Sequence, residues 1–234
     1  MGIQAGVLLC RRLPRLEGSR LPGRGVAEEV GVFERVPDGR RCSTSGVRFR
    51  GDGEQAGWFI HGYQSAWLPA SLLAPTQQAL LVDSLCAAAA QWDLALHFNK
   101  GIAGAPKWAV DATRDTAMNP AVVDAFALAI IAGGGGPAFP GMPGAAVDEA
   151  RARRAATRIR SAMDALLKAA PDAGAYVSES DYFQPRWQQA YWGSNYARLA
   201  RIKAAVDPDG LFVVHHGVGS EDWSADGFTR VKPG

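Results

Sequence analysis

The sequence is short of the features that mark several classes of protein. Its three cysteines, Cys10, Cys42 and Cys86, are odd in number and lack paired spacing, so they predict neither a disulfide framework nor a zinc site. The formal net charge of +2 is too small to indicate binding to nucleic acid or to an anionic membrane. No apolar run is long enough to span a bilayer, because the nearest one ends in four glycines.

Common catalytic and nucleotide-binding motifs are missing as well. The chain has no GxGxxG or GxxxxGK[ST] after a strand, and no HExxH, GxSxG or paired CxxC. The glycine run at 133–136 is followed by Pro137, which lacks the N–H that a phosphate cradle needs. His215 and His216 are adjacent, and in a strand they would point to opposite faces, so we expect a structural or surface role for them. No metal site is predicted.

Strand-like and helix-like segments follow one another along the chain and predict an α+β fold. We expect an antiparallel or mixed sheet with helices on one face, and a helix-turn-strand segment at the C-terminal end. The strands are expected at 47–51, 57–69, 93–101, 174–180 and after residue 210. Helices are expected at 75–92 with Thr76 as N-cap, at 146–170, and at 191–206. Residues 119–137 fit a short helix leading into a buried strand, although periodicity does not separate helix from strand there.

The helix at 146–170 has the clearest periodicity. Asp148 and Glu149 lie at its positive end, where carboxylates are favourable. Its apolar positions recur at helical spacing and should form the buried stripe: Ala152, Ala155, Ile159, Met163 and Leu166.

The segment YWGSNYARLARIKAAV, residues 191–206, raises a question about one amide. On a helical wheel, Asn195 falls at the centre of the apolar stripe, and an unpaired buried amide costs about 1–3 kcal/mol. One interpretation is a structural hydrogen-bond network or a cap beside Gly193; the other is contact with the polar edge of a ligand. Gly193 itself indicates a helix break or a close backbone approach.

Ten residues in this part of the chain follow a known pattern at fixed spacing. They are Tyr191, Gly193, Asn195, Tyr196, Arg198, Leu199, Lys203, Asp207, Pro208 and Phe212. The segment resembles the C-terminal part of berberine-bridge-enzyme-like FAD-linked oxidases, within the vanillyl-alcohol-oxidase type of flavoprotein. The resemblance divides the chain into a substrate-domain-like region at 31–175 and a C-terminal segment at 176–234. It leaves residues 1–30, which are expected to be a poorly ordered lead-in, unassigned.

The resemblance implies an FAD cofactor and a small-molecule substrate, most plausibly a sugar or another alcohol, that gives a hydride to the flavin. Asn195 would then lie near the flavin, with Tyr191 packed beside it. The N-terminal FAD-binding domain of the family is not recognisable in this sequence. A separate FAD-binding domain or subunit is therefore an implied partner, and a non-catalytic orphan half or assembly module is the alternative.

Three further residues are candidates for the site. Where many family members read Tyr-x-Asn-Tyr, this chain reads Tyr-Val-Ser-Glu at 176–179, so Glu179 is a candidate general base in place of the second tyrosine. The alternative for Glu179 is a solvated carboxylate at the end of a strand. His97 and Asn99, at alternate positions of one predicted strand, are candidates for binding the substrate.

Overall fold

A three-stranded antiparallel sheet forms the centre of the molecule. The computed structural model describes residues 58–98, 102, 104–137 and 146–231. Strands β1 (Trp58–Pro69), β2 (Ala95–Phe98) and β3 (Ala125–Pro137) lie in the order β1-β3-β2, with both pairs antiparallel. This confirms the predicted α+β class. The predicted lead-in and the strand expected at 47–51 lie outside the described residues.

Six helices lie in the described residues, and the last two belong to the C-terminal part. They are α1 (Gln78–Gln91), α2 (Lys107–Arg114), α3 (Ala121–Asp124), α4 (Glu149–Leu166), α5 (Trp187–Trp192) and α6 (Tyr196–Val206). Short 3-10 turns lie at Ala70–Leu73, Gly193–Asn195 and Ser220–Asp222. Helix α3 leads directly into β3, which decides between the alternatives for residues 119–137. No helix among the described ranges is both long and apolar enough to cross a membrane.

The main core lies between one face of the sheet and helices α1 and α4. The five predicted stripe residues of α4 are all buried, because their spacing places them on one side of the helix, and Ile159, Met163 and Leu166 belong to this core. They meet Leu81 of α1 and Ala129 and Ile131 of β3. Asp148 caps α4 by accepting a hydrogen bond from the Arg151 N–H, at 2.8 Å. The N-cap of α1 differs from the predicted Thr76. The residue before the helix is Gln77, and no side chain caps the helix N-terminus.

Three expected elements have a different form. Residues 174–180 are not a strand; they run as irregular chain and turns. The helix expected at 191–206 is interrupted at Gly193, which adopts φ 53° and ψ −131° and separates α5 from α6. No strand follows Gly210 among the described residues up to 231, because the Asp207 carboxylate accepts the N–H groups of Leu211 and Phe212 and turns the chain back toward α6.

Candidate functional site

The irregular segment 174–181 lies along the outer edge of β1. The Trp67 N–H donates to the Gly174 carbonyl at 2.8 Å, and the Tyr176 N–H donates to the Ser65 hydroxyl oxygen at 3.0 Å. Farther toward the start of β1, the Gln64 amide donates to the Asp181 carboxylate at 3.1 Å. These bonds use groups of an edge strand that would otherwise remain unpaired, and they fix the segment against the sheet.

A cleft of about 750 Å³ opens where β1 begins. Its walls come from the start of β1, from α4, from residues 177–183, from the end of α5 and from residues 214–217. The walls are largely aromatic, with Tyr63, Tyr182, Tyr191 and Trp192, and Arg160 lies at the α4 side. A volume of this size suits a small organic ligand. Two of the residues predicted for the site, Glu179 and Tyr191, therefore line the same cleft.

Tyr191 is held in place by its phenol. Only 6% of the residue is exposed, and its hydroxyl lies 2.5 Å from the Ser180 hydroxyl and 3.5 Å from the Asp181 carbonyl. Burial raises the pKa of Tyr191, so the phenol stays protonated and can donate. The ring thus joins α5 to the segment that carries Glu179.

Glu179 has a carboxylate oxygen with no protein partner. Its Oε2 is buried and accepts no hydrogen bond from any described residue. The pKa of Tyr63 is raised, first by burial and then by the negative charge of Glu179. An unpaired buried carboxylate oxygen is costly, so it marks a place where a donor group from a ligand or water would be favourable. The segment is not a strand and Glu179 is half-buried, while its role as a general base stays a prediction.

Four aromatic rings form a stack at the side of the cleft. Tyr182 stacks on His215 at 3.7 Å, His215 stacks on His216 at 3.8 Å, and His216 stacks on Trp187 at 5.2 Å. The two imidazoles lie side by side because residue 216 has a left-handed φ of 55° and the segment is not a strand. The expectation that they point to opposite faces was therefore wrong, and sequence periodicity gave no signal of their place in the cleft wall.

His216 also borders a second cavity, as do Val214 and His215. It lines both the cleft and a smaller cavity of about 340 Å³ that is bounded by Trp187, Glu221 and Trp223. Its Nδ1 is buried with no partner among the described residues. Burial, assisted by the neighbouring His215, lowers the pKa of His216, so the neutral imidazole is favoured.

Asn195 has two partners from the protein itself. Its side-chain amide donates to the carbonyls of Thr116 and Met118, at 2.9 and 2.8 Å. The residue is half-buried, at the start of α6, and does not line the cleft. These bonds correspond to the structural interpretation of the amide, while a contact between Asn195 and a flavin stays a prediction.

A second asparagine, which the sequence analysis did not single out, holds α5 in place. Asn119 is buried, donates to the Ala190 carbonyl at 2.8 Å and accepts from the Ala121 N–H at 3.0 Å. A Cβ on Gly193 would lie 2.7 Å from its Oδ1, and a Cβ on Gly174 would lie 2.3 Å from its Nδ2. Glycine is needed at both positions because the Asn119 side chain occupies the space of a Cβ. In the sequence, Asn119 precedes a proline, and this pattern indicates only a turn.

Of the two predicted substrate-binding residues, the structure describes His97 and does not bring it to the cleft. His97 lies in β2 opposite Leu128, on the strand at the far edge of the sheet from β1, and is not part of the cleft wall. Asn99 lies outside the described residues. The role of both residues in binding a substrate stays a prediction, and the position of His97 does not support it.

The segment that forms much of the cleft wall is similar to known proteins. Residues 175–219 match the family described as berberine and berberine like, and this range contains Glu179, Tyr191, Asn195 and both stacked histidines. An uncharacterized FAD-linked oxidoreductase of Arthroderma benhamiae is 52% identical over 61 residues, which is 26% of this chain and 10% of that protein. The VAO-type flavoprotein oxidase VAO615 of Thermothelomyces thermophilus is 42% identical over 82 residues, 35% of this chain and 14% of that oxidase.

The resemblance extends to a solved structure. The crystal structure of the VAO-type flavoprotein MtVAO615 of Myceliophthora thermophila C1 superposes with a TM-score of 0.51 and 29% identity, over 72% of this chain and 29% of that one. The resemblance of the C-terminal portion to berberine-bridge-enzyme-like FAD-linked oxidoreductases is thus confirmed. The matched stretches span about a tenth of the curated relatives' length, so the chain is similar to a portion of such enzymes.

Proposed function

We propose that this chain supplies the substrate-facing part of the site of an FAD-linked oxidoreductase that oxidises an alcohol or a sugar-like molecule. The proposal rests on one observation: the segment that matches the flavoprotein family is also the segment that forms most of the cleft wall. The segment that matches the flavoprotein family, 175–219, supplies most of the aromatic cleft wall and its two unpaired buried polar atoms, on Glu179 and His216.

The cleft suits the ring end of a flavin better than its phosphate end. Its aromatic rings match a planar heteroaromatic system, and the unpaired atoms on Glu179 and His216 match the polar edge of such a system or of a substrate. Among the described residues that line it, Arg160 is the single permanently charged cation, which is little positive charge for a pyrophosphate. A separate FAD-binding domain would therefore complete the binding of the cofactor.

Within this site, Tyr191 would pack beside the cofactor and Glu179 would accept the proton of the substrate hydroxyl. A bound flavin supplies the two-electron acceptor for the hydride of the substrate carbon. The Glu179 carboxylate is suited to its part because Oε2 is free of protein donors and partly removed from water. The aromatic walls would exclude water from the reacting groups.

The direct test is a visible spectrum. The purified chain is mixed with excess FAD, passed through gel filtration, and examined for flavin absorbance in the protein fraction. Retained absorbance means that the chain holds flavin by itself. Release of all flavin, together with no binding to a co-expressed FAD-domain protein of this family, would contradict the proposal.

Activity of the assembled site gives the second test. We expect Glu179→Gln to lower kcat by about 10²–10⁴-fold, the usual contribution of a general base, while leaving flavin absorbance in place. Glu149→Gln, on the exposed face of α4, is the matched control and should retain activity. Equal activities of the two variants would remove Glu179 from the mechanism.

A non-catalytic assembly module is the second candidate, and exposed apolar side chains favour it. In the C-terminal part, Val206, Leu211, Phe212 and Phe228 are each at least 75% exposed, which is unusual for a surface that stays in water. This candidate predicts stable binding to a separate flavoprotein subunit without a change in the rate of that subunit. Rate enhancement on assembly separates the two functions.

A further inference from the structure

The orientation of His215 is fixed from two directions. Its ring lies between Tyr182 on one face, at 3.7 Å and 7°, and His216 on the other, at 3.8 Å and 27°. Rotation within the ring plane is limited by a hydrogen bond of 2.8 Å between Nε2 and the Tyr182 carbonyl oxygen. A side chain that is held both by stacking and by a hydrogen bond is preorganised for binding.

The hydrogen bond also decides which nitrogen carries the proton. A carbonyl oxygen can only accept, so the Nε2 of His215 must donate and therefore carries the hydrogen. In the neutral imidazole the other nitrogen, Nδ1, then has a lone pair and acts as an acceptor. His215 is an exposed residue of the cleft wall, so this acceptor belongs to a side chain that a ligand can reach.

We propose that His215 is a substrate-binding residue of this cleft and that its Nδ1 accepts a hydrogen bond from a ligand hydroxyl. This inference rests on the proposed function, in which the ligand carries hydroxyl groups and Glu179 receives the reacting proton. A polyhydroxylated molecule offers several donors, and Glu179 and His215 are two acceptors in one aromatic-walled cleft. His215 thus selects among ligands by the position of a second hydroxyl.

Titratable groups line both cavities around the imidazole pair. The titratable groups that line the cleft are His61, Tyr63, Arg160, Glu179, Asp181, Tyr182, Tyr191 and His216. The further titratable groups that line the smaller cavity are Glu221 and Asp226. The partner that stacks directly on His215, His216, favours its own neutral form through burial. Among the described contacts of His215, the hydrogen bond to the Tyr182 carbonyl is the one that sets its tautomer.

The first experiment needs neither flavin nor substrate. Nitrogen-15 NMR of the full chain with labelled histidine at neutral pH distinguishes the two neutral tautomers of His215. We expect hydrogen on Nε2 and a bare Nδ1. Hydrogen on Nδ1 would leave no acceptor and would overturn the proposal.

The second experiment measures binding of glucose, a polyhydroxylated probe, by saturation-transfer NMR on the same chain. We expect His215→Phe, which retains the ring stack, to weaken the affinity by about three- to tenfold, the loss of one hydrogen bond. His215→Gln, which can still donate to the Tyr182 carbonyl, should weaken it similarly. Unchanged affinity in the phenylalanine variant, or no saturable response in the unsubstituted protein, overturns the proposal.

Kinetics of the flavin-loaded assembly then separate binding from chemistry. For His215→Phe we expect a raised KM with kcat nearly unchanged, because the residue contributes to binding rather than to proton transfer. A fall in kcat with unchanged KM would overturn the binding role. Since the NMR tests require no flavin, they decide the role of His215 separately from the proposed function, which is contradicted when the chain binds neither FAD nor a co-expressed FAD-domain protein.

Discussion

Helices α4 and α6 are both amphipathic in sequence, but only one of them is buried. Helix α4 buries six residues between α1 and the sheet, including Ile159, which is 1% exposed. Helix α6 buries none among the described residues, and its apolar Ile202 and Val206 are 45% and 75% exposed. Apolar periodicity thus predicts which face of a helix is suited to burial. Whether that face is covered depends on what else is present to pack against it.

The two regions are also stabilised in different ways. The sheet and its helices are held by a core of aliphatic side chains. Residues 187–231 are held by ring contacts and by side-chain hydrogen bonds, such as those from the Tyr196 hydroxyl to the Glu221 carboxylate at 2.5 and 2.6 Å. Burial, with Glu221 adding to it, raises the pKa of Tyr196, so this donor keeps its proton. Substitutions should therefore have different consequences in the two regions.

The largest difference is expected between two matched isoleucines. Ile159→Ala removes a fully buried side chain and should lower the free energy of unfolding by about 3–4 kcal/mol. Ile202→Ala, on the open face of α6, should cost less than about 1 kcal/mol. Urea denaturation of both variants measures the difference. Losses of similar size would mean that the face of α6 is covered in solution, for example by a second copy of the chain.

A smaller loss is expected at the break between α5 and α6. Gly193→Ala places a Cβ 2.7 Å from the Asn119 oxygen in a backbone conformation with φ 53°, so we expect a loss of about 2–3 kcal/mol. Gly136→Ala is the matched control, since a Cβ there meets no atom within 4 Å. Thermal melts of the two variants give the comparison. A Gly193→Ala protein as stable as the control would rule out a close approach of Asn119.

The amide of Asn195 should have a moderate effect on stability. Asn195→Leu leaves the carbonyls of Thr116 and Met118 without their donor, and we expect a loss of about 1 kcal/mol. We also expect weaker retention of FAD if Asn195 contacts the cofactor. Ser194→Ala, at the neighbouring exposed position, serves as control in both measurements. Reduced stability with unchanged flavin retention would show that the residue is structural only.

The smallest effect concerns the pH dependence given by His216. Its pKa is lowered in the folded protein, so the unfolded chain binds a proton more readily below its ordinary value of about 6.5. Stability should therefore decrease as the pH falls from about 6.5 through the lowered folded pKa. His216→Phe should remove this part of the dependence, as measured by urea denaturation at pH 8, 6.5 and 5. An identical pH profile in the variant would contradict the burial of a neutral imidazole.

Part of the candidate site could be predicted from the sequence because it depends on local spacing. The pattern from Tyr191 to Phe212 led to the flavoprotein resemblance, and the departure at Glu179 marked a residue that does line the cleft. The place of His215 and His216 could not be predicted, because it depends on the left-handed backbone conformation of His216. A non-glycine residue in that conformation gives no sequence signal. The wheel placed Asn195 on a buried stripe because it assumed a helix continuous across Gly193.

The strands β1 and β2, the helices α1 and α4, and the family resemblance of the C-terminal segment were all predicted from the sequence alone. Periodicity and turn residues act over a few positions, and these elements follow from them. Three features became visible in the tertiary structure alone. They are the end of α5 at Trp192, the unpaired side-chain atoms of Glu179 and His216, and the common place of His215 and His216 in the cleft wall. Those outcomes depend on contacts between distant parts of the chain, such as Asn119 against Gly193 and Tyr182 against His215. Local patterns carry no information about which distant side chain will occupy a given space.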